Sequence, residues 1–246
     1  MELSAAITLP ALIFLAAVLY ASVGHGGASG YLAVMALFGI APEVMRPTAL
    51  TLNILVSLIA LIKFYRAGYF SWQLFLPFAL TSIPLAFLGG SIVLPTTLYK
   101  PIVGAVLIYA AIRLFFSTKS NRSAELRPMN LPLAVLFGAL IGLLSGLTGV
   151  GGGIFLSPLL MLMRWGDVRQ VAGVSAAFIL VNSIAGLAGQ ISIVASLPPS
   201  IPLWGAVAVV GGWLGAEYGS RRLGSPALQR MLAVVLVIAG LKMIFF

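Results

Sequence analysis

The residues of this chain best placed to do chemistry are glycines. Gly24-His25-Gly26-Gly27 and Gly149-Val150-Gly151-Gly152-Gly153 each interrupt a long apolar run. Non-helical backbone in such a setting leaves amide groups that lipid cannot satisfy. It persists only when buried in protein or lining a polar cavity. A helix that begins just after the break points its unpaired N–H groups and the positive end of its dipole into that cavity. Two such starts facing each other would hold a small anion without a buried Lys or Arg. Glycine also serves close packing between membrane helices, and that accounts for isolated residues such as Gly104, Gly138 and Gly205. For the two clusters, their matched positions in the two halves of the chain favour the anion site.

Polar residues inside apolar runs are the next candidates, since each costs desolvation unless partnered. Thr51 and Asn53 lie in one long run, Ser175 and Asn182 in a second, and Gln190 follows Asn182 by two turns. Their hydroxyls and amides could complete the shell of an oxyanion. Interhelical hydrogen bonding accounts for Asn53 and Asn182 equally well, and Ser57, Ser82 and Ser183 read as structural. His25 is the sole histidine; it could donate to an anion or carry a coupling proton, although its counterpart is Val150. The candidate anion-binding set is therefore His25, Gly26, Gly27, Thr51, Asn53, Gly151, Gly152, Gly153, Ser175, Asn182 and Gln190. Glu217 sits in an apolar run with Arg221 one turn on, where the two should pair; Glu43 and Asp167 fall in expected loops. No carboxylate pair, Ser-His-Asp set or His cluster suggests an enzyme or a metal, and no cofactor motif is present. Without cysteine there is no disulfide or Cys-ligated metal. An ATP-binding motif is also missing, so energy would come from an ion gradient or the substrate's own.

The elements that must position these residues are membrane helices. Of 246 residues 61% are hydrophobic and 8% charged, against about 25% charged in soluble domains. The apolar runs reach the ~20 residues needed to cross a ~30 Å hydrocarbon core. The net charge of +9 sits in short loops rather than on one soluble face, which argues against nucleic acid. The N-terminal run lacks the basic n-region of a cleaved signal peptide, so it is expected in the mature bundle. Predicted segments are Ala5–Val23, Ala28–Ala41, Thr48–Tyr65, Trp72–Leu94 and Pro101–Phe116 in the first half. In the second they are Pro132–Thr148, Ile154–Met163, Val171–Ile193, Pro202–Tyr218 and Pro226–Phe246. The halves match at the glycine clusters, at Thr51 and Ser175, at Phe87-Leu88-Gly89 and Trp213-Leu214-Gly215, and at Leu107 to Phe116 and Leu236 to Phe245. These matches divide the chain into a first transmembrane repeat (1–116), a polar cytoplasmic linker (117–130) and a second repeat (131–246).

Cytoplasmic loops are enriched in Lys and Arg, so the basic residues choose between two topologies. If each broken pair of segments crosses once, the 14 basic residues divide evenly. If each pair enters and returns, the inside holds Lys63, Arg66, Arg113, Lys119, Arg122, Arg127, Arg164, Arg169, Arg221, Arg222 and Arg230. Only Arg46, Lys100 and Lys242 remain outside. The second arrangement makes the chain an all-α polytopic bundle of two inverted repeats of about five segments, with both termini outside. Secondary transporters commonly hold substrate near the midplane of such a bundle, at discontinuous helices.

The chain resembles the TauE/SafE proteins, the sulfite exporter or toluene-sulfonate-uptake permease family. The resemblance rests on Thr148-Gly149-Val150-Gly151-Gly152-Gly153 followed by Pro158-Leu159-Leu160, and on Gly173-Val174-Ser175-Ala176-Ala177 leading to Asn182-Ser183. Arg66-Ala67-Gly68 before Trp72, and Leu88-Gly89-Gly90, add to it. It implies a bacterial-type inner-membrane permease for sulfite, sulfoacetate or other organosulfonates, or for other small carbon anions, working as exporter or importer. The expected function is alternating-access transport of a small oxyanion coupled to a proton or ion gradient. A passive anion channel and a membrane accessory subunit that does not transport are the rival readings.

Overall fold

The computed structural model describes residues 3–116, 126–191, 197–221 and 226–245, and among them every regular element is a helix. In chain order these are α1 (Leu3–Ala21), α2 (Ala28–Leu37), α3 (Pro42–Arg66), α4 (Trp72–Ser91) and α5 (Thr96–Phe116). The second five are α6 (Leu131–Thr148), α7 (Gly153–Met163), α8 (Val168–Gly189), α9 (Ile201–Arg221) and α10 (Pro226–Phe245). The expected linker positions Lys119, Arg122 and Glu125, together with Ile193, Arg222 and the side chain of Arg230, lie outside the described residues.

Local chemistry starts and stops these helices. Ser71, Asp167 and Asn130 cap α4, α8 and α6 with side chains that accept backbone N–H groups of the first turn. Asp167, expected in a loop, thus starts a helix. Glu43 is likewise helical, because α3 begins at Pro42, six residues before the expected Thr48. A proline at the first helical position has no N–H to waste. Pro47 and Pro101 then lie inside α3 and α5, each giving up one intrahelical bond without ending the helix. At the end of α2, Gly39 takes φ 69°, and the N–H groups of Gly39 and Ile40 donate to the carbonyls of Ala36 and Met35. This Schellman turn stops α2 at Leu37, short of the expected Ala41.

Packing rests on backbone contact. Gly138, Gly142 and Gly146 line one face of α6, and a Cβ on any of them would strike α4 at Phe78, Ser82 and Ala86 respectively. Gly211, Gly215 and Gly219 of α9 do the same against Phe14 and Val18 of α1 and Ser22 just beyond it. Small residues every fourth position let membrane helices approach to backbone contact. In both pairs the contacts rise together along the two chains, so the helices run parallel. By contrast α3 and α8 are antiparallel: Leu50 lies by Gly186, Asn53 by Ser183 and Phe64 by Gly173. The pair α5 and α10 is antiparallel too, with Gly104 against Gly240 and Ile244, and Gly240 against Ile108. Gly205, by comparison, meets only a Leu55 methyl.

One apolar cluster draws on α1, α2, α3, α5, α9 and α10 with Ile154 of α7 and Ala176 of α8, and a second on α4, α6, α7 and α8. Outside them Leu80, Leu136, Val210, Leu214 and Ile238 are exposed. Large aliphatic side chains facing outward suit lipid rather than water. Among the described residues α3, α4, α6 and α8 are each long and apolar enough to cross a membrane. Charged groups gather at the two ends of the bundle. At the end where α7 finishes, Lys63 pairs with Glu217, Arg221 pairs with the same carboxylate, and Arg169 donates to the Tyr69 hydroxyl. At the end where α2 finishes, Lys100 and Lys242 line an open cleft.

Candidate functional site

The site is built from where the two broken helices stop. At the first break Gly24 takes φ 77°, and Gly24 and His25 donate back to the carbonyls of Ala21 and Tyr20, terminating α1. Gly149 (φ 80°) caps the end of α6 through its bond to Ser145. Gly27 and Gly152 then occupy matching N-cap positions of α2 and α7, both left-handed and both without a capping side chain. A first helical turn lacks intrahelical partners for its N–H groups. Those of α2 and α7 are therefore left to groups from elsewhere in the bundle.

Asn53 supplies one such group, for α2. It lies fully buried in the middle of α3. Its Oδ1 accepts from the Ala28 N–H, the first of α2, at 3.1 Å. Its Nδ2 donates to the Val150 carbonyl at 3.3 Å and to Ser183 Oγ at 3.1 Å. One amide thus ties both breaks to α3 and α8, and the donor–acceptor pattern fixes which way it points. A Cβ on Gly26 would overlap Asn53 Oδ1, and one on Gly151, which also has φ 79°, would overlap Nδ2. Both positions must be glycine for Asn53 to reach across.

His25 lies beside this knot. Its Nδ1 is 3.1 Å from the Val23 carbonyl; its Nε2 is 3.2 Å from the Gly153 carbonyl and 3.1 Å from Ser157 Oγ. Ser157 Oγ is in turn 2.7 Å from Ser175 Oγ. A neutral ring with its hydrogen on Nδ1 donates to Val23 and accepts at Nε2 from the Ser157 hydroxyl. A doubly protonated ring donates to both carbonyls, and Ser157 then turns its hydrogen to Ser175. The chain of three groups therefore has one hydrogen-bonded arrangement for each protonation state.

Around these groups is a small cavity of about 10 Å³, lined by Tyr20, His25, Gly26, Gly27, Ala28, Ser29, Val150, Ile154 and Ile179. That is room for about one water. Ser29 donates to the Tyr20 hydroxyl at 2.6 Å, and the Tyr31 hydroxyl donates to the Gly26 carbonyl at 2.8 Å. These bonds brace the break from the α1 and α2 side.

The structure brings together His25, Gly26, Gly27, Asn53, Gly151, Gly152, Gly153 and Ser175. The other three sequence candidates bond within their own helices: Thr51 to the Pro47 carbonyl, Asn182 to that of Phe178, Gln190 to that of Gly186. The side-chain carbonyl oxygens of Asn182 and Gln190 are buried with no protein partner. Ser183, read from sequence as structural, holds Asn53, and Ser157 links His25 to Ser175. A serine among aliphatic residues was the only sequence signal for either.

Arg46 is a larger departure. Expected in an outer loop, it is 5% exposed inside α3. Its guanidinium donates to the carbonyls of Gly146, Gly89, Gly90 and Ile92, all within 2.9 Å. These carbonyls belong to the C-terminal ends of α4 and α6, where helix dipoles favour a cation. A Cβ on Gly149 would lie 3.0 Å from Arg46 Cγ, so this clamp adjoins the second break.

Among the described residues no group of three or more His, Cys, Asp or Glu could hold a metal. The model of the sulfite exporter TauE/SafE family matches residues 9–243. The chain is 40% identical to the probable membrane transporter protein y4hK of Sinorhizobium fredii over 98% of both chains. It is 27% identical to the probable membrane transporter protein YjnA of Bacillus subtilis, over 90% of this chain and 92% of that one. A probable membrane transporter protein of Methanocaldococcus jannaschii is 26% identical over 80% of this chain and 77% of its own. No solved structure matches the chain. With apolar spans, two helix breaks meeting at one buried amide and a family match over nearly its whole length, the chain belongs to the sulfite exporter TauE/SafE family of multi-pass membrane transporters.

Proposed function

We propose that the chain is a secondary transporter that moves a small oxyanion by alternating access, with sulfite, sulfoacetate and related organosulfonates as the first substrates to test. The observation that carries this reading is the meeting of the α2 N-terminus and of the break that precedes α7 at Asn53, which accepts from the Ala28 N–H and donates to the Val150 carbonyl. Helix N-termini attract anions through oriented N–H groups and dipole, and no buried carboxylate opposes them in the central cavity. The substrate would sit between Gly26-Gly27 and Gly151-Gly152-Gly153, with His25 and Ser175 beside it. Thr51, Asn182 and Gln190 would face the path once the helices move. The family name supports a sulfur oxyanion. A continuously open channel fits less well, because the centre has room for about one water.

The two halves, 1–116 and 131–246, are proposed as inverted repeats joined by a cytoplasmic linker at 117–130. Support comes from the antiparallel pairing of counterpart helices, α3 with α8 and α5 with α10. The end bearing Lys63, Arg66, Arg164, Arg169 and Arg221 would face the cytoplasm under the positive-inside rule, leaving both termini outside a bacterial-type inner membrane. His25 would carry a coupling proton. Uptake of labelled sulfite, sulfoacetate and acetate into proteoliposomes, with and without a pH gradient, tests the function. Transport of none of them would refute it. A cysteine at Arg221 should resist impermeant reagents added outside intact cells, and ready labelling there would overturn the orientation.

A further inference from the structure

The His25 ring lies between two carbonyl oxygens, that of Val23 at 3.1 Å from Nδ1 and that of Gly153 at 3.2 Å from Nε2. A carbonyl only accepts, so a doubly protonated ring satisfies both at once. A neutral ring has one hydrogen to give, and its bare nitrogen then faces a carbonyl lone pair. The adjoining cavity has room for about one water, so little solvent is at hand to relieve that mismatch. A hydroxyl that donates to the bare nitrogen removes it, and the site offers one on one side of the ring. Ser157 Oγ lies 3.1 Å from Nε2, whereas among the described residues Nδ1 meets only the Val23 carbonyl. Ser175 Oγ stands 2.7 Å from Ser157 Oγ and accepts the Ser157 hydrogen when Nε2 carries its own. No counter-charge replaces these hydroxyls: no Lys, Arg, Asp or Glu is among the described residues lining the cavity. On α1, Tyr20 meets the ring edge-on with 6.4 Å between ring centres, and on α2, Tyr31 is turned to the Gly26 carbonyl. Both are phenols, neutral over the range in which an imidazole ordinarily titrates. α3, α7 and α8 bring Asn53, Ser157 and Ser175 to the site, none of which ionises in that range.

We propose that Ser157 is the positioning residue of the proton carrier. By donating to Nε2 it selects the Nδ1–H tautomer of neutral His25, and by turning its hydrogen to Ser175 it admits a second ring proton. The incoming proton binds Nε2, the Ser157 hydroxyl rotates about its Cβ–Oγ bond, and no other hydrogen changes owner. Release of the proton reverses the rotation. The residue that takes the proton belongs to the first half of the chain, and both hydroxyls that answer it belong to the second. This role rests on the reading of His25 as carrier of the coupling proton, but the tautomer and its titration are measurable without transport.

His25 is the sole histidine, so nitrogen NMR of the full chain labelled with ¹⁵N-histidine, in phosphatidylcholine nanodiscs, reads one ring. The neutral wild-type ring should be the Nδ1–H tautomer and convert to the doubly protonated form as the pH falls. Ser157→Ala strips the donor from bare Nε2 and leaves both carbonyls in place, so the neutral form alone is penalised. Its titration should move about one unit to higher pH, and Ser157→Thr, which keeps the hydroxyl, should restore the wild-type curve. Ser175→Ala removes an acceptor used when the ring is doubly protonated, and should move the curve the other way by about half a unit. A general loosening of the site would move both alanine variants in the same direction. A neutral wild-type ring in the Nε2–H form, an unmoved or lowered curve in Ser157→Ala, or a ring that titrates in none of these proteins would overturn the proposal. Uptake into proteoliposomes under a pH gradient should follow the same shifts. Shifted spectra with uptake indifferent to the gradient would keep the role of Ser157 and remove His25 from the coupling. If no labelled anion moves, the transporter reading fails, while the spectra still decide the role of Ser157.

Discussion

Replacing Arg46 offers the sharpest test of how the bundle is held. Its guanidinium makes five N–H···O contacts to four carbonyls at the ends of α4 and α6. Arg46→Met keeps the aliphatic stem and strips all five. Those carbonyls have no continuing helix to bond to, so each loses its donor in a setting that is 5% exposed at Arg46. Removing one partner of a buried charged network costs about 3–5 kcal/mol, and a single orphaned carbonyl about 1–3 kcal/mol; burial and partial relaxation of the helix ends place the expected loss near the first range. For a chain of this size roughly 2–4 °C of melting temperature follows each kcal/mol, so detergent-solubilised Arg46→Met should melt about 10 °C below wild type by tryptophan fluorescence. Arg46→Lys keeps the charge but not the fork and should fall between the two. If Arg46→Met melts within about 2 °C of wild type, the clamp contributes nothing, and the buried guanidinium needs another explanation.

Gly151→Ala places a Cβ on Asn53 Nδ2 at a position with φ 79°, so transport should fall at least tenfold with membrane insertion intact; wild-type rates would sink the cradle. Asn53→Asp can still accept from Ala28 but cannot donate to Val150 or Ser183, and should lower stability by about 2–4 kcal/mol in chemical denaturation, where no change would show that the two breaks are not tied through this amide. Arg164 adopts φ 57° at the end of α7, so Arg164→Gly should raise stability by about 0.5–1 kcal/mol; a loss would mean that its side chain outweighs the backbone strain. His25→Gln retains a hydrogen-bonding side chain but not the titration, so uptake should no longer respond to an imposed pH gradient, and a preserved response would remove His25 from the coupling.

Much of the architecture was legible in the residues because lipid punishes exceptions. Long uncharged runs have few alternatives to spanning helices, and each of the ten observed helices overlaps its expected segment. The errors cluster at prolines. The expected starts at Thr48 and Pro101 left out the first turns of α3 and α5, and with them Glu43 and Arg46. Pro47 and Pro101 each give up one intrahelical bond, yet both helices run on through them. Starting the helix at Thr48 moved a buried cation into a loop.

The site divides along the same physical line. Its glycines were legible because their requirement is a backbone one that recurs in both halves: Gly24 and Gly149 take positive φ where a helix ends, and Gly27 and Gly152 do so where the next begins. Side chains carry no such mark. Asn53 has no amide counterpart at the matching place in α8; its bonds go instead to both breaks and to Ser183. Repeat symmetry therefore points to the paired glycines but cannot single out the amide that joins them. The same holds for His25, matched by Val150: beside its bond to Val23 it reaches Gly153, Ser157 and, beyond it, Ser175 in the other half. Under the proposed repeat, residues that bridge the two halves are one-sided by construction. A polar side chain with an apolar repeat mate, set next to a matched glycine break, is thus a better sign of a shared central site than a polar pair preserved in both halves.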